Sequence, residues 1–225
     1  MHATKTPRVE ARSPALADLD DALADRQEQL RLAHRRIESL DRRVAELTRR
    51  VERERQHAYY DELTGLPNRR LLIDRVNQAI ARSARQGKPL AVLFLDLDGF
   101  KSINDGLGHE VGDRLLKQVA TRVGTRIRSS DTACRCGGDE FVVVLSDIEH
   151  REGACRAMEK IRNCIAKPYV FDGKSVRMTV SIGMAMHPED GDDYAQLIVH
   201  ADRAMYEDKA RRAPLAGAAP APGSA

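Results

Sequence analysis

Arg135-Cys136-Gly137-Gly138-Asp139-Glu140-Phe141 joins two strand-forming runs, Ala133 to Cys136 and Phe141 to Leu145, through a Gly-Gly pair. Glycines between apolar runs signal a tight hairpin, because they alone adopt positive φ without steric cost. Two carboxylates stand directly after that turn, where a hairpin pushes them out of the sheet. Strand formation gives no reason for them, since Asp in particular is disfavoured in strands. Alone, the stretch also reads as an ordinary hairpin with a charged tip. A second acidic pair weighs against that reading: Asp96-Leu97-Asp98 closes the most apolar run of the chain, Leu90 to Leu95. Two buried strands ending side by side in carboxylates suit a divalent cation.

Outward from the hairpin, the pattern alternates between strand and helix. A helix is expected from about Arg69 to Arg85, opened by Asn68 as its cap, then a buried strand from Leu90 to Asp96 and a short segment from Gly99 to Asn104. The next helix runs from about Glu110 to Ser129, with Val111, Leu115, Leu116, Val119, Val123 and Ile127 on its apolar side. Beyond the hairpin come a helix from about Arg151 to Ala166, strands at Tyr169 to Phe171 and Val176 to Met186 around the turn Asp172-Gly173, and a last helix from about Asp193 to Arg211. Alternation without an internal repeat implies one α/β sheet domain.

The N-terminal part follows another rule. Leu16, Leu23, Leu30, Ile37, Val44 and Val51 recur every seven residues, interleaved with Leu19, Arg26, Ala33, Leu40, Leu47 and Glu54. That is a heptad seam flanked by charge. A single amphipathic helix packed on its own domain is the alternative, but the repeat persists without Gly or Pro. A parallel two-stranded coiled coil is therefore expected, with Ile and Val at one seam position and Leu at the other in its second half. The resulting division is a tail over residues 1–14, a coiled-coil helix over 15–57, a catalytic-size domain over 58–212 and an Ala/Pro/Gly-rich tail over 213–225.

Composition narrows the partners. The 225 residues carry a net charge of only +3 with both signs interspersed, so neither nucleic acid nor a membrane surface is expected as a partner. Trp is absent and aromatics make up 4%, too few for a base-stacking platform. The charged fraction of 32% exceeds the usual quarter or so and fits a long solvated helix. Cys134, Cys136, Cys155 and Cys164 lack a second pair at zinc spacing and read as free thiols. The first fourteen residues are too polar for a signal peptide, and the longest apolar run is far short of the roughly 20 residues a membrane helix needs. A cytoplasmic location is expected.

From about Tyr60 to Arg212 the chain resembles the GGDEF domains, the diguanylate cyclases that join two GTP molecules into cyclic di-GMP. The resemblance rests on Gly137-Gly138-Asp139-Glu140-Phe141, on Asp61-Glu62-Leu63-Thr64-Gly65-Leu66-Pro67-Asn68-Arg69, and on Lys101, Ile103, Asn104, Asp105, Gly108, His109, Gly112 and Asp113 at family spacing. It implies a palm-like βααββαβ fold and a magnesium or manganese ion held by Asp96, Asp139 and the Leu97 carbonyl. Asp139 and Glu140 become the catalytic carboxylates, with Asp139 in the main role. Gly99, Phe100 and Lys101 would meet the phosphates, Asn104 and Asp113 the guanine edge, and His109 would lie near the substrate. Asp98 is open: an Asp before a glycine is as often a helix cap. Lys209 matches a phosphate-binding lysine, but Ala210-Arg211-Arg212-Ala213-Pro214 replaces the usual Gly-Arg-Asn, leaving Arg211 or Arg212 as an imperfect substitute. Arg128 and Asp131 match an inhibitory product site. The activity so implied is that of a feedback-inhibited, coiled-coil homodimeric diguanylate cyclase; a receptor that binds cyclic di-GMP without making it is the competing reading, and a structural coiled-coil scaffold a third.

Overall fold

The computed structural model describes residues 14–212, and the expected tails over 1–13 and 213–225 lie outside them. The chain divides between Arg55 and Gln56 into two compact units. The first unit holds most of α1 (Pro14–Tyr59), one uninterrupted helix. Pro14, assigned to the tail from sequence, opens this helix, a position where the missing N–H costs nothing. Side chains at the seam positions lie open along it: Leu23, Ile37 and Leu47 are 57%, 55% and 59% exposed.

The second unit is built on four antiparallel strands in the order β2-β3-β1-β6. In chain order its elements are α2 (Arg69–Gln86), β1 (Leu90–Asp98), α3 (Phe100–Leu107), α4 (His109–Gly124), β2 (Thr132–Gly137) and β3 (Glu140–Leu145), then α5 (Arg151–Ile165), β4 (Tyr169–Phe171), β5 (Lys174–Val176), β6 (Thr179–His187) and α6 (Tyr194–Arg212). Without the small β4–β5 hairpin and the flanking α2 and α6, the connectivity is the expected βααββαβ.

Period-two alternation along β1 sorts its side chains onto two faces. Leu93, Leu95 and Leu97 enter one core with Leu115, Val119 and Ile161 of α4 and α5. Val92 and Phe94 enter the other, with Leu72 and Val76 of α2 and Leu197, Ala201 and Met205 of α6. By the same alternation Asp96 and Asp98 face the α2 and α6 side. The contact of α6 with the sheet is close at Gly183, where a Cβ would stand 2.0 Å from the Ala201 carbonyl and 2.1 Å from the Met205 amide nitrogen.

Four local expectations are corrected. The helix foreseen to Ser129 stops at Gly124, where Thr125 caps it and the chain turns toward β2. The segment expected to run from Gly99 to Asn104 is a helix that continues to Leu107. The long strand foreseen from Val176 breaks between Val176 and Thr179, so that β5 pairs with β4 while β6 joins the main sheet. The glycine pair is not itself the two-residue turn. Gly137 pairs with Glu140, leaving Gly138 and Asp139 at the tip, because the register shifts between Arg135 and Gly137 and leaves Cys136 in the irregularity.

Candidate active site

Register brings the acidic residues together. Asp96, near the end of β1, lies opposite Glu140 in β3 and opposite Ser181 in β6. Asp139 follows from the hairpin tip, where its carbonyl accepts from the Leu97 N–H at 3.4 Å. Three carboxylates from two central strands thus meet on the face covered by α6. Asp139 is pushed above the ordinary carboxylate value by burial, against a hydrogen bond to its own backbone, and further by the charge of Asp96. Glu140 is also raised, first by desolvation and then by Asp96, Asp139 and Asp202.

One cation answers this crowding. Lys209, in the last turn of α6, places Nζ 2.6 Å from Asp96 Oδ1. That hydrogen bond holds the ammonium above its ordinary pKa in spite of partial burial, with the charges of Asp96, Asp98 and Asp139 acting in the same direction. Asp98 is committed elsewhere: its two oxygens accept from Thr179 Oγ1 at 2.8 Å and Ser181 Oγ at 2.7 Å. It does not cap α3, whose N-cap is Gly99 in the left-handed region.

The tip is held by residues that the sequence reading assigned no role. Arg135 donates from Nε and Nη2 to the Gly138 carbonyl at 3.0 and 2.8 Å, and from Nη1 to both Asp61 oxygens at 3.0 and 3.1 Å. Asp61 also accepts from the Thr64 amide and hydroxyl. Burial pulls the Asp61 carboxyl up, but these hydrogen bonds outweigh it and hold the group below its usual range. The turn before α2 and the catalytic hairpin therefore share one guanidinium. An arginine inside a strand next to two glycines was the only signal available for it.

The remaining expected residues surround this centre or lie apart from it. Gly99 and buried Phe100 start α3 directly after β1, with Lys101 exposed in its first turn. Asn104 packs on Gly112 of α4, whose absent Cβ would stand 1.9 Å from Asn104 Oδ1, and that amide oxygen is buried without a partner. Asp113 follows Gly112 in α4, and His109 opens that helix; both are exposed. Arg128 and Asp131 form a separate turn: Asp131 accepts from the Arg128 amide at 2.9 Å and the Ser146 amide at 3.1 Å. A cavity of about 260 Å³ opens beside them, with Arg126, Arg156 and Lys160 on its wall. Arg211 and Arg212 both turn to Asp208, at 3.6 and 3.2 Å.

The donor set suits a divalent cation. Among the described residues no group of three or more His, Cys, Asp or Glu side chains could hold a metal ion by itself. Lys209 already sets positive charge on Asp96, and crowding raises Asp139 and Glu140.

The fold is an antiparallel palm whose carboxylates converge from β1 and the β2–β3 tip. Residues 58–213 match the family described as "Diguanylate cyclase, GGDEF domain", and the chain belongs to that family. It is 47% identical over 154 residues to the bifunctional diguanylate cyclase/cyclic di-GMP phosphodiesterase MucR of Pseudomonas aeruginosa, covering 68% of this chain and 22% of MucR. It is 41% identical over 150 residues to the diguanylate cyclase TpbB of the same species, covering 66% of this chain and 34% of TpbB. The chain thus spans between 22% and 34% of the length of these relatives. The crystal structure of the coiled coil and GGDEF domain of DgcB from Caulobacter crescentus, in complex with c-di-GMP, matches with a TM-score of 0.68 at 27% identity, covering 86% of this chain and 95% of that one.

The raised Asp139 pKa has a stability consequence. A carboxyl whose folded pKa lies above its unfolded value of 3.8 destabilises the fold once ionised; the cost is absent below that value and grows as pH rises through the folded pKa. Asp139→Asn is expected to melt at a higher temperature than the native chain at pH 7, with the difference vanishing as the pH falls below about 3.5. Equal melting temperatures at neutral pH would contradict the crowding described here.

Proposed function

We propose that this chain is a diguanylate cyclase, condensing two GTP into cyclic di-GMP and two pyrophosphates across a homodimer joined through α1. The observation that carries the reading is the convergence of Asp96, Asp139 and Glu140 opposite Lys209. In each half-reaction a ribose 3′-oxygen loses its proton and bonds to the α-phosphorus of the other GTP, as the bond to the pyrophosphate oxygen breaks. Asp139, whose carboxyl burial holds above its ordinary pKa, accepts that proton, and Glu140 reinforces the negative field that favours its removal. Magnesium or manganese, held by Asp96, Asp139 and the Leu97 carbonyl, would supply charge neutralisation for the triphosphate. Lys209 adds a positive charge beside Asp96, while the backbone from Gly99 to Lys101 offers the N–H groups of a helix start to phosphate oxygens.

Asn104 supplies the case for guanine. An unpartnered buried amide oxygen is costly unless a ligand donor reaches it. The N1–H and N2–H edge of guanine offers such donors, and Asp113 accepts beside it. His109 borders the same loop. Chromatographic separation of nucleotides after incubation with GTP and Mg²⁺ is expected to reveal cyclic di-GMP from the native chain and none from Asp139→Ala. Cyclic di-GMP binding without any turnover would instead favour the receptor reading, which the engagement of Arg211 and Arg212 with Asp208 supports.

Product feedback is assigned to Arg128 and Asp131, supported by the basic cavity beside them. Adding cyclic di-GMP to the same assay is expected to slow the native chain but not Arg128→Ala, and equal slowing would remove the assignment.

Dimerisation through α1 is supported by its exposed seam: two chains would bury what one leaves in water. Deleting residues 1–51 is therefore expected to lower specific turnover by about tenfold or more at low protein concentration. Sedimentation should show a monomer. Full activity from that monomer would exclude the coil as the dimer contact. Among the described residues no helix is long and apolar enough to cross a membrane, and a cytoplasmic site of action is proposed.

A further inference from the structure

The residue before Lys209 is a buried carboxylate just ahead of the last turn of α6. Asp208 Oδ2 accepts from the Ile182 amide at 3.0 Å and from Arg162 Nη1 at 3.0 Å. Arg162 Nη1 also donates to the Val180 carbonyl at 2.9 Å. Ile182 and Val180 flank Ser181, the β6 residue opposite Asp96 in β1. The pair therefore grips the sheet one residue to either side of the row in which Asp96 lies, while the next residue of α6 delivers its ammonium to Asp96. Both side chains are about nine-tenths buried. A buried ion pair of this kind is weak support for stability, since apolar replacements are often neutral or better, whereas it does fix one arrangement of two elements. Successive helical residues diverge by about 100°, so fixing Asp208 against β6 fixes the direction in which Lys209 leaves the helix.

We propose that Arg162 and Asp208 are positioning residues that set α6 against β6 so that Lys209 reaches Asp96. Its bearing on turnover rests on the cyclase reaction proposed above; its structural part does not. Arg212 Nε, at 3.2 Å from each Asp208 oxygen, is drawn into the same anchor.

Two measurements on the full chain test this. Amide hydrogen exchange followed by NMR is expected to be about tenfold or more faster at Lys209 to Arg212 in Asp208→Ala than in the native chain, with Leu197 and Ala201 unchanged. Asp208→Asn, which keeps an acceptor for the Ile182 amide but loses the charge for Arg162, should give a smaller increase at the same amides and serves if the alanine variant does not fold. Unchanged exchange in that turn overturns the inference whether or not the chain turns over GTP. In steady-state assays Asp208→Ala is expected to lower kcat by about tenfold in the native background and to add little in Lys209→Gln, the signature of one residue acting through the other. Equal losses in both backgrounds overturn the positioning role. A native chain without GTP turnover overturns the cyclase reading and leaves the exchange result to decide this one.

Discussion

One guanidinium ties the acidic end of the sheet to the turn that precedes α2. Arg135 holds the carbonyl of Gly138 at the hairpin tip with two of its nitrogens and the carboxylate of Asp61 with the third. The tip needs such a hold because its glycines permit many conformations and its carboxylate is pressed toward Asp96. Asp61 is itself fixed by Thr64, so the turn that admits the chain to the domain and the hairpin that carries Asp139 are parts of one hydrogen-bonded assembly. The turn and the tip are linked through Arg135 alone, without passing through the apolar core.

Against this scaffold the site is electrostatically unfavourable by construction. Asp139 and Glu140 both ionise less readily than free carboxylates, and Lys209 compensates only Asp96 directly. Such a balance suits a centre whose charge is completed by what it binds. Asp96, Asp139 and Glu140 carry more negative charge than Lys209 alone can offset.

Much of this was legible in the sequence. The apolar run of β1, the apolar face of α4 and the heptads of α1 were each strong enough to place their elements, and the family resemblance singled out Asp96, Asp139, Asn104 and Lys209. What escaped was set by tertiary partners. Nothing local says that Arg135 reaches back 74 positions to Asp61, or that Asp208 pairs with Arg162 across 46. Asp98 looked like a cap or a ligand until Thr179 and Ser181 arrived from β6. The hairpin register was misjudged by one residue, because a two-residue glycine turn and a bulged approach to a glycine-aspartate tip have the same composition. Helix α4 was overextended because Ile127 continues its apolar spacing after the helix has ended.

The two outermost strands of the sheet share a property with a bearing on how copies of this chain can associate. On β2 the Arg135 amide is taken by the Pro67 carbonyl at 2.9 Å. On β6 the Ile182 amide and the Val180 carbonyl are taken by Asp208 and Arg162. Unpaired strand margins invite addition of a foreign strand and, with it, aggregation; here both margins are partly sealed from within the same chain. Addition of a strand from a second copy would first have to displace these internal partners.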